Sequence, residues 1–242
     1  MRLLLGSGGL TTDERCDAWV RELSSFLAEG TRILFVPYAV QDHDAAVARV
    51  IERGLNAGRE LTGIHTLPDA VAAVREAEAI FVSGGNTFRL LASLQRHRLL
   101  DPIRERVLAG MPYLGISAGT NVACPTIATT NDMPIVWPRS WDALGLVPFQ
   151  INPHFVPGPA HYAIDGAMVP YGGETREDRL REYHEENERS VLAMREGAIL
   201  RVEGSRATLS GLGGAILLRR GAEPRPFAPG ADLSFLLRGQ LP

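Results

Sequence analysis

The sequence has 242 residues, 45% of them hydrophobic and 22% charged, and this length is typical of one large α/β domain. Its 25 basic and 28 acidic residues give a formal net charge of -3, and the basic residues are scattered, which excludes a basic surface for nucleic acid. No stretch approaches the roughly eighteen apolar residues of a membrane span, and two cysteines are too few for a disulfide framework. We therefore expect a single cytoplasmic domain over residues 1–242, with neither nucleic acid nor membrane as a partner.

Short apolar runs alternate with helical patterns along the first half of the chain. The predicted strands are 3–5, 33–37, 61–67, 79–82 and 111–114, and the predicted helices are 13–28, 45–57, 70–77, 88–96 and 102–109. This alternation is typical of a parallel sheet covered by helices on both faces. We expect an α/β three-layer sandwich with a mostly parallel central sheet, whose active site lies beyond the carboxyl ends of the strands.

The second half of the chain has a different pattern. After a predicted strand at 149–155, residues 156–177 are rich in proline and glycine, which predicts a long loop. Residues 176–188 form a charged helix pattern that we interpret as a solvated face. The apolar runs 191–194, 198–202, 207–209 and 215–219 are separated by glycine-containing turns. They predict that the sheet ends in antiparallel strands towards the C-terminus.

The pentapeptide Gly115–Gly119, with the sequence GISAG, stands between a predicted strand and a stretch that can continue as a helix. At such a junction Gly-x-Ser-x-Gly is typical of a nucleophile elbow, a tight turn that presents the serine hydroxyl above the sheet. Ser117 would then be the nucleophile, and the N–H of Ala118 at the helix start would donate to a developing oxyanion. The other interpretation is a glycine-rich turn that carries an ordinary serine.

A serine nucleophile needs a base, and six histidines are available. His154 is the best placed because its strand runs into a rigid loop, in which Pro153 fixes the backbone. His43 follows the second predicted strand and is a minor candidate. The other four, His65, His97, His161 and His184, fall in a strand pattern, a charged helix, the long loop and the solvated helix.

A second glycine-rich turn, residues 82–87 with the sequence VSGGNT, closes the strand at 79–82. A phosphate cradle is one interpretation, but no lysine follows at Walker spacing. The other is that Gly85, which lacks a Cβ, approaches the serine closely and supplies the second oxyanion donor.

Five blocks along the chain form a more specific pattern than any of them alone. They are GGNTF at 84–88, GISAGTNVACPTI at 115–127, TTNDMPIV at 129–136, QINPHF at 150–155 and GETRE at 173–177. These blocks resemble the peptidase E family of cytoplasmic α-aspartyl dipeptidases, and the similarity runs from the first strand to about residue 220. The resemblance implies a serine peptidase with a Ser-His-Glu triad, on a sheet related to that of class I glutamine amidotransferases.

The resemblance also assigns roles to the residues of a triad. Ser117 matches the family's nucleophile, His154 its general base and Glu196 the acid that orients the imidazole. Asp132 lies in an equally family-like block and competes with Glu196 for the orienting role. The N–H groups of Gly85 and Ala118 complete the oxyanion hole.

The implied substrate is a small dipeptide with an N-terminal aspartate. Arg176 matches the family position that binds its β-carboxylate, for which a guanidinium fork is well suited. Glu174 or Asp132 would bind the free α-amino group, and Asn86 is placed with the substrate-binding residues. We expect no cofactor and no metal, and a monomer or homodimer.

Two departures from the family pattern set this sequence apart. Ile116 precedes the nucleophile where enteric members carry an aromatic residue, and the loop after His154 is several residues longer. Such a loop beside the pocket would act as a lid. Two alternatives to the α-aspartyl dipeptidase stay open: a cyanophycinase-like β-aspartyl peptidase, and a catalytically silent binding module of the same fold.

Overall fold

Two sheets and one separate hairpin carry the strands, and helices connect them. The computed structural model describes residues 1–159, 161–170 and 172–239. The strands are β1 (Arg2–Gly6), β2 (Ile33–Val36), β3 (Leu61–Gly63), β4 (Ala79–Val82), β5 (Tyr113–Ile116), β6 (Gln150–Phe155), β7 (His161–Ile164), β8 (Ala167–Pro170), β9 (Val191–Arg195), β10 (Ala198–Glu203), β11 (Arg206–Gly211), β12 (Ala215–Leu218) and β13 (Arg225–Phe227). The helices are α1 (Asp13–Phe26), α2 (His43–Glu52), α3 (Ala70–Glu76), α4 (Thr87–Arg96), α5 (Leu100–Leu108), α6 (Ala118–Asn121), α7 (Arg176–Glu186) and α8 (Ser234–Leu237).

The central sheet has seven strands in the order β11-β10-β1-β5-β4-β2-β3. The five from β1 to β3 are parallel, and β10 and β11 add an antiparallel pair at one edge. The predicted mixed α/β fold with a mostly parallel central sheet is confirmed. Parallel strands end at a common edge, where Gly6 lies in register with Ile116 and Val82 with Gly115. The glycine-rich turns after β1, β4 and β5 therefore meet.

Successive residues of the central strands are buried on opposite faces of the sheet. Leu3 and Leu5 pack in the cluster that contains the buried residues of α3, α4 and α5, which we call the α4 face. Leu4 packs with Trp19 in the cluster of α1 and α2, which we call the α1 face. All three leucines are completely buried, which is why β1 is an unbroken apolar run in the sequence.

A second sheet, in the order β13-β12-β9-β6, corrects the prediction for the C-terminal strands. Only β10 and β11 extend the central sheet, whereas β9 pairs parallel with β6 and antiparallel with β12. The two-residue turn Glu196–Gly197 carries the chain from β9 in the second sheet to β10 in the central sheet. Strand partners are set by tertiary packing, so the local pattern identified these strands without indicating their sheets.

The predicted long loop at 156–177 is wrong over most of its described part. β7 and β8 pair as an antiparallel hairpin, from His161 opposite Pro170 to Ile164 opposite Ala167. Asp165 and Gly166 both have positive φ, 48° and 81°, as the Asp-Gly pair of a tight hairpin turn requires. Residues 160 and 171 of this segment lie outside the described residues.

The boundaries of three other predicted elements are corrected. β3 ends at Gly63, and Ile64–Thr66 forms a 3-10 turn where the strand was predicted to continue. α2 ends at Glu52, and α6 is a single turn. α7 is not fully solvated, because Leu180 and His184 are buried along it.

No helix in the described part of the chain is long and apolar enough to cross a membrane.

Candidate active site

The turn between β5 and α6 holds Ser117 in a strained conformation, with φ 55° and ψ -110°. The turn requires glycine at positions 115 and 119, because backbone atoms lie where a Cβ would be. A Cβ on Gly119 would lie 2.2 Å from the carbonyl oxygen of Val82, and one on Gly115 would lie 2.6 Å from that of Gly119. The Ser117 N–H donates to the carbonyl of Gly6 over 3.0 Å, which ties the turn to β1. This geometry is that of a nucleophile elbow, and it exposes the hydroxyl at the edge of the sheet.

His154 reaches Ser117 from the second sheet. The pairing of β6 with β9 shifts register between Asn152 and Phe155, and His154 lies in this bulge with a φ of 56°. A bulge re-aims a side chain out of the ladder. The Nε2 atom of His154 lies 2.7 Å from the Ser117 Oγ.

Glu196 completes a chain of three side chains. Its Oε1 lies 2.6 Å from the Nδ1 atom of His154. The hydrogen bond from His154 lowers the pKa of Glu196, and the positive charge of Arg15 adds to this effect, while burial opposes it. An ionised carboxylate only accepts, so Nδ1 carries the proton and Nε2 is free to accept the Ser117 hydroxyl. This is the arrangement of a serine nucleophile with a base and an orienting acid.

The loop after β1 forms a wall of the site, at the sheet edge where the site was expected, but none of its residues was predicted as a site residue. A Cβ on Gly8 would lie 2.3 Å from the Cε1 atom of His154, and one on Gly9 would lie 1.7 Å from Oε2 of Glu196. Ser7, which is completely buried, accepts from the N–H of His154 over 2.8 Å and donates to the carbonyl of Met194 over 2.9 Å. The only signal in the sequence was a glycine-rich turn directly after a strand.

Gly84 and Gly85 lie beside the serine. A Cβ on Gly84 would be 3.3 Å from the Cβ of Ser117. Gly85 has a φ of 136°, and a Cβ there would lie 2.6 Å from the carbonyl oxygen of Ala39. Neither the N–H of Gly85 nor that of Ala118 donates a hydrogen bond to another described residue. Both donors are therefore free to bind a ligand.

Asp132 does not contact His154 but binds the start of α4. Its Oδ2 accepts from the N–H of Thr87 over 2.7 Å. Asn86 caps the same helix, accepting from the N–H of Arg89 over 3.0 Å, and its amide donates to the carbonyl of Met133 over 2.8 Å. The orienting position at His154 is thus taken by Glu196, and the side chain of Asn86 holds local structure.

Arg176, the first residue of α7, is partly buried, and its Nη1 has no hydrogen-bond partner among the described residues. Burial lowers its pKa and Arg179 adds to this, whereas the nearby charge of Asp132 raises it. Glu174 is half-exposed and paired with Arg179 over 3.1 Å. The structure therefore brings Arg176 and Asp132 within electrostatic reach of each other and gives Glu174 a different partner.

The remaining histidines and Cys124 have other surroundings. His43 stacks edge-on against the rings of Tyr38 and His65, and His65 is hydrogen-bonded to Asp44 over 2.8 Å. Burial raises the pKa of the Cys124 thiol to about 12, which leaves it unreactive. In the part of the chain that the structure describes, no group of three or more His, Cys, Asp or Glu side chains is placed to hold a metal ion.

Known proteins resemble this chain over most of its length. The model of the family described as peptidase family S51 matches residues 2–210. A Streptomyces coelicolor protein named peptidase E is 51% identical over 218 residues, which cover 89% of this chain and 86% of that protein. A Drosophila melanogaster protein named probable alpha-aspartyl dipeptidase is 50% identical over 207 residues, 85% of this chain and 83% of that one.

A solved structure has the same fold at low sequence identity. The crystal structure of a peptidase from an acI-B1 Actinobacterium superimposes with a TM-score of 0.67 at 16% identity, covering 97% of this chain and 96% of the other.

Proposed function

The chain belongs to peptidase family S51, and from this membership we propose that it hydrolyses dipeptides with an N-terminal aspartate through an acyl-enzyme. It is a serine-type peptidase. The relatives named peptidase E and alpha-aspartyl dipeptidase support the substrate class. The observation that carries the proposal is the continuous Ser117–His154–Glu196 hydrogen-bond chain. It is accompanied by a partly buried guanidinium, that of Arg176, whose Nη1 has no hydrogen-bond partner among the described residues.

In the first half of the reaction Ser117 Oγ attacks the scissile carbonyl. The hydroxyl proton passes to Nε2 of His154, which the carboxylate of Glu196 stabilises as imidazolium. The carbonyl oxygen becomes an oxyanion and accepts from the N–H groups of Gly85 and Ala118, which are free in the described structure. His154 then gives its proton to the leaving amine, the C–N bond breaks, and an aspartyl ester of Ser117 remains.

The second half of the reaction repeats these roles with water. His154 removes a proton from a water molecule that attacks the ester carbonyl. The same two N–H groups stabilise the second oxyanion, and its collapse breaks the bond to Ser117 Oγ. The serine regains its proton from His154, and free aspartate leaves.

Arg176 supplies the selectivity for aspartate in this proposal. A buried guanidinium nitrogen without a hydrogen-bond partner among the described residues is costly, so Arg176 favours an anionic ligand that pairs with it. The β-carboxylate of an N-terminal aspartate has the matching charge and fork geometry. Asp132 lies within the electrostatic reach of Arg176 and is the better candidate for the α-amino group, because Glu174 is already paired with Arg179.

We further propose that the fold is related to that of class I glutamine amidotransferases. A nucleophile at a strained turn after a central parallel strand supports a sheet related to that of class I glutamine amidotransferases. We also propose that the enzyme acts in the cytoplasm as a monomer or homodimer, without cofactor or metal.

A dipeptide panel tests the proposed function. α-Asp-Leu, β-Asp-Leu, Asn-Leu and Glu-Leu are assayed in the presence of EDTA with the wild type and with Arg176→Ala. We expect rapid cleavage of α-Asp-Leu alone by the wild type, and loss of the preference over Asn-Leu in the variant. Arg179→Ala, one turn along the same helix, is the matched control and should keep the preference.

Two outcomes of the panel would overturn the assignment. Faster cleavage of β-Asp-Leu than of α-Asp-Leu would indicate a β-aspartyl peptidase. Failure to cleave any dipeptide, together with no labelling of Ser117 by a serine-directed acylating probe, would indicate a silent binding module. An unchanged preference in Arg176→Ala would refute the role of that residue.

A further inference from the structure

A cavity of about 480 Å³ opens beside the nucleophile on the α1 face of the central sheet. Its volume falls within the roughly 300–1,000 Å³ of small-molecule sites. Ile116, Ser83 and Gly84 form one wall of the cavity, and a Cβ on Gly84 would lie 3.3 Å from the Cβ of Ser117. The cavity therefore lies beside residues that are next to the serine, in the chain at Ile116 and in space at Gly84.

The cavity and the aspartate-binding groups lie on opposite faces of the sheet. Phe35 and Phe81 line the cavity and belong to the α1 face. Asp132 binds the N-terminus of α4, and Phe88 of that helix belongs to the α4 face. If Asp132 binds the aspartate residue on the α4 face, the α1 face is left for the residue that follows it.

His154 indicates which half of the dipeptide lies beside the cavity. The leaving amine must lie at its Nε2 to receive the proton. The loop that contacts His154 through Gly8 continues to Leu10 and Thr11, and these two residues form another wall of the cavity. A leaving residue at Nε2 is therefore next to the loop that forms this wall of the cavity.

We propose that this cavity is the subsite for the residue that follows aspartate, and that it selects a large apolar side chain and binds the free carboxylate of that residue. The inference rests on the proposed function. It assigns a substrate preference to Ile116, the residue at which the sequence departs from the family pattern.

The lining of the cavity is complementary to a large apolar side chain. Its part near Ser117 is mostly apolar, with Leu10, Ile116 and Phe81 in contact with the space. Ser83 is 6% exposed, and its Oγ has no hydrogen-bond partner among the described residues. A buried hydroxyl without a partner is rare, so a ligand oxygen or nitrogen is its expected partner.

The far rim of the cavity is basic. Arg49 and Arg53 lie one turn apart on and just after α2, and both are exposed. Within the described residues neither forms an ion pair, although Nη2 of Arg53 contacts the sulfur of Cys16 over 3.1 Å. No described residue of the lining is acidic. The long arginine side chains can reach back over the cavity to a carboxylate, whose charge they complement.

Filling the cavity tests the apolar part of the proposal. Ala46 lines the cavity from α2, whereas Ala45 precedes it on the same helix with an exposed side chain. For Ala46→Phe we expect kcat/KM on Asp-Phe to fall about 10-fold or more relative to Asp-Ala, since the larger side chain loses its space. Ala45→Phe is the matched control and should leave the ratio unchanged.

Removing the basic rim tests the carboxylate part. The double variant Arg49→Ala/Arg53→Ala is assayed with Asp-Phe and with its C-terminal amide. We expect kcat/KM on the acid to fall about 3- to 10-fold, an effect that added salt reduces, and on the amide to change little. Arg75→Ala, an exposed arginine of α3, is the control.

The outcomes separate this inference from the proposed function. If the wild type cleaves Asp-Phe but Ala46→Phe affects Asp-Ala equally and the arginine variant treats acid and amide alike, the subsite assignment is wrong and the function stands. If the wild type cleaves no Asp-X dipeptide, the proposed function fails and this inference fails with it.

Discussion

The N–H of His154 donates to the hydroxyl of Ser7 over 2.8 Å, although Ser7 directly follows β1 of the central sheet and His154 lies on β6 of the second sheet. Ser7 in turn donates to the carbonyl of Met194 over 2.9 Å, on the strand that precedes Glu196. One buried hydroxyl therefore holds the backbone of His154 and that of β9, the strand directly before Glu196. The strained φ of 56° at His154 depends on such support.

Ser7→Ala is expected to lower kcat more than it raises KM. The variant leaves the N–H of His154 without its acceptor, at a cost to stability of about 1–3 kcal/mol. We expect kcat on α-Asp-Leu to fall about 10-fold or more, since small misplacements of a base are costly. Steady-state kinetics and urea unfolding measure both effects. Ser25→Ala, an exposed serine of α1, is the control, and an unchanged kcat in Ser7→Ala would contradict the positioning role.

Gly8→Ala is expected to displace the imidazole. The added Cβ would lie 2.3 Å from Cε1 of His154, so the ring or the loop must move. We expect kcat to fall about 100-fold or more. Gly58→Ala is the matched control because Gly58 has a φ of 73° and nothing within 4 Å of its added Cβ. A similar loss of activity in both variants would point to backbone strain instead of the contact with His154.

Glu196→Gln tests the orienting acid through its pH dependence. The pKa of Glu196 lies below its ordinary value of 4.5 because His154 donates to the carboxylate. Because its pKa is lowered in the folded state, the ionised Glu196 stabilises the fold at pH values above its ordinary pKa. This stabilisation is lost as the pH falls through the folded-state pKa. We expect the wild type to be more stable than Glu196→Gln at neutral pH, with the difference shrinking below pH 4.5.

Urea unfolding midpoints between neutral and acidic pH measure this difference, and kcat of Glu196→Gln should be lower by about 100-fold or more at neutral pH. Glu188→Gln, on the surface and paired with Arg220, is the control. A stability difference that stays constant through the acidic range would contradict the coupling between Glu196 and His154.

Cys124 is expected to take no part in the reaction. Its thiol is completely buried, with a pKa raised to about 12, and its sulfur accepts from the N–H of Ile151 over 3.2 Å. Cys124→Ala should therefore keep kcat within about 2-fold, at some cost in stability. Mass spectrometry after iodoacetamide treatment of the native enzyme should find Cys124 unmodified. Its modification with parallel loss of activity would favour a thiol mechanism.

The central sheet was predictable because its strands are buried on both faces and appear as unbroken apolar runs. The elbow at Ser117 was predictable because close approach demands glycine at fixed offsets. The second sheet was not, since a local pattern identifies a strand but not its partner. The hairpin at Asp165–Gly166 carried a recognisable turn signal, but the prolines and glycines around it favoured a loop interpretation.

The site was only partly predictable for a related reason. Glu196 lies in a two-residue turn between sheets, where a carboxylate is locally indistinguishable from any surface acid. Only the family resemblance selected it. Ser7 and Gly8 act through contacts with a residue about 147 positions away, as the bond from His154 to Ser7 shows, and such contacts leave no local pattern.

The central claim is that the hydroxyl of Ser117 attacks the carbonyl of an Asp-X dipeptide. The most direct test is kcat on α-Asp-Leu for the wild type and Ser117→Ala, with an unchanged unfolding midpoint as evidence that the variant is folded. We predict a loss of about 10⁴-fold or more. Near-normal turnover of α-Asp-Leu by the folded variant would contradict the account.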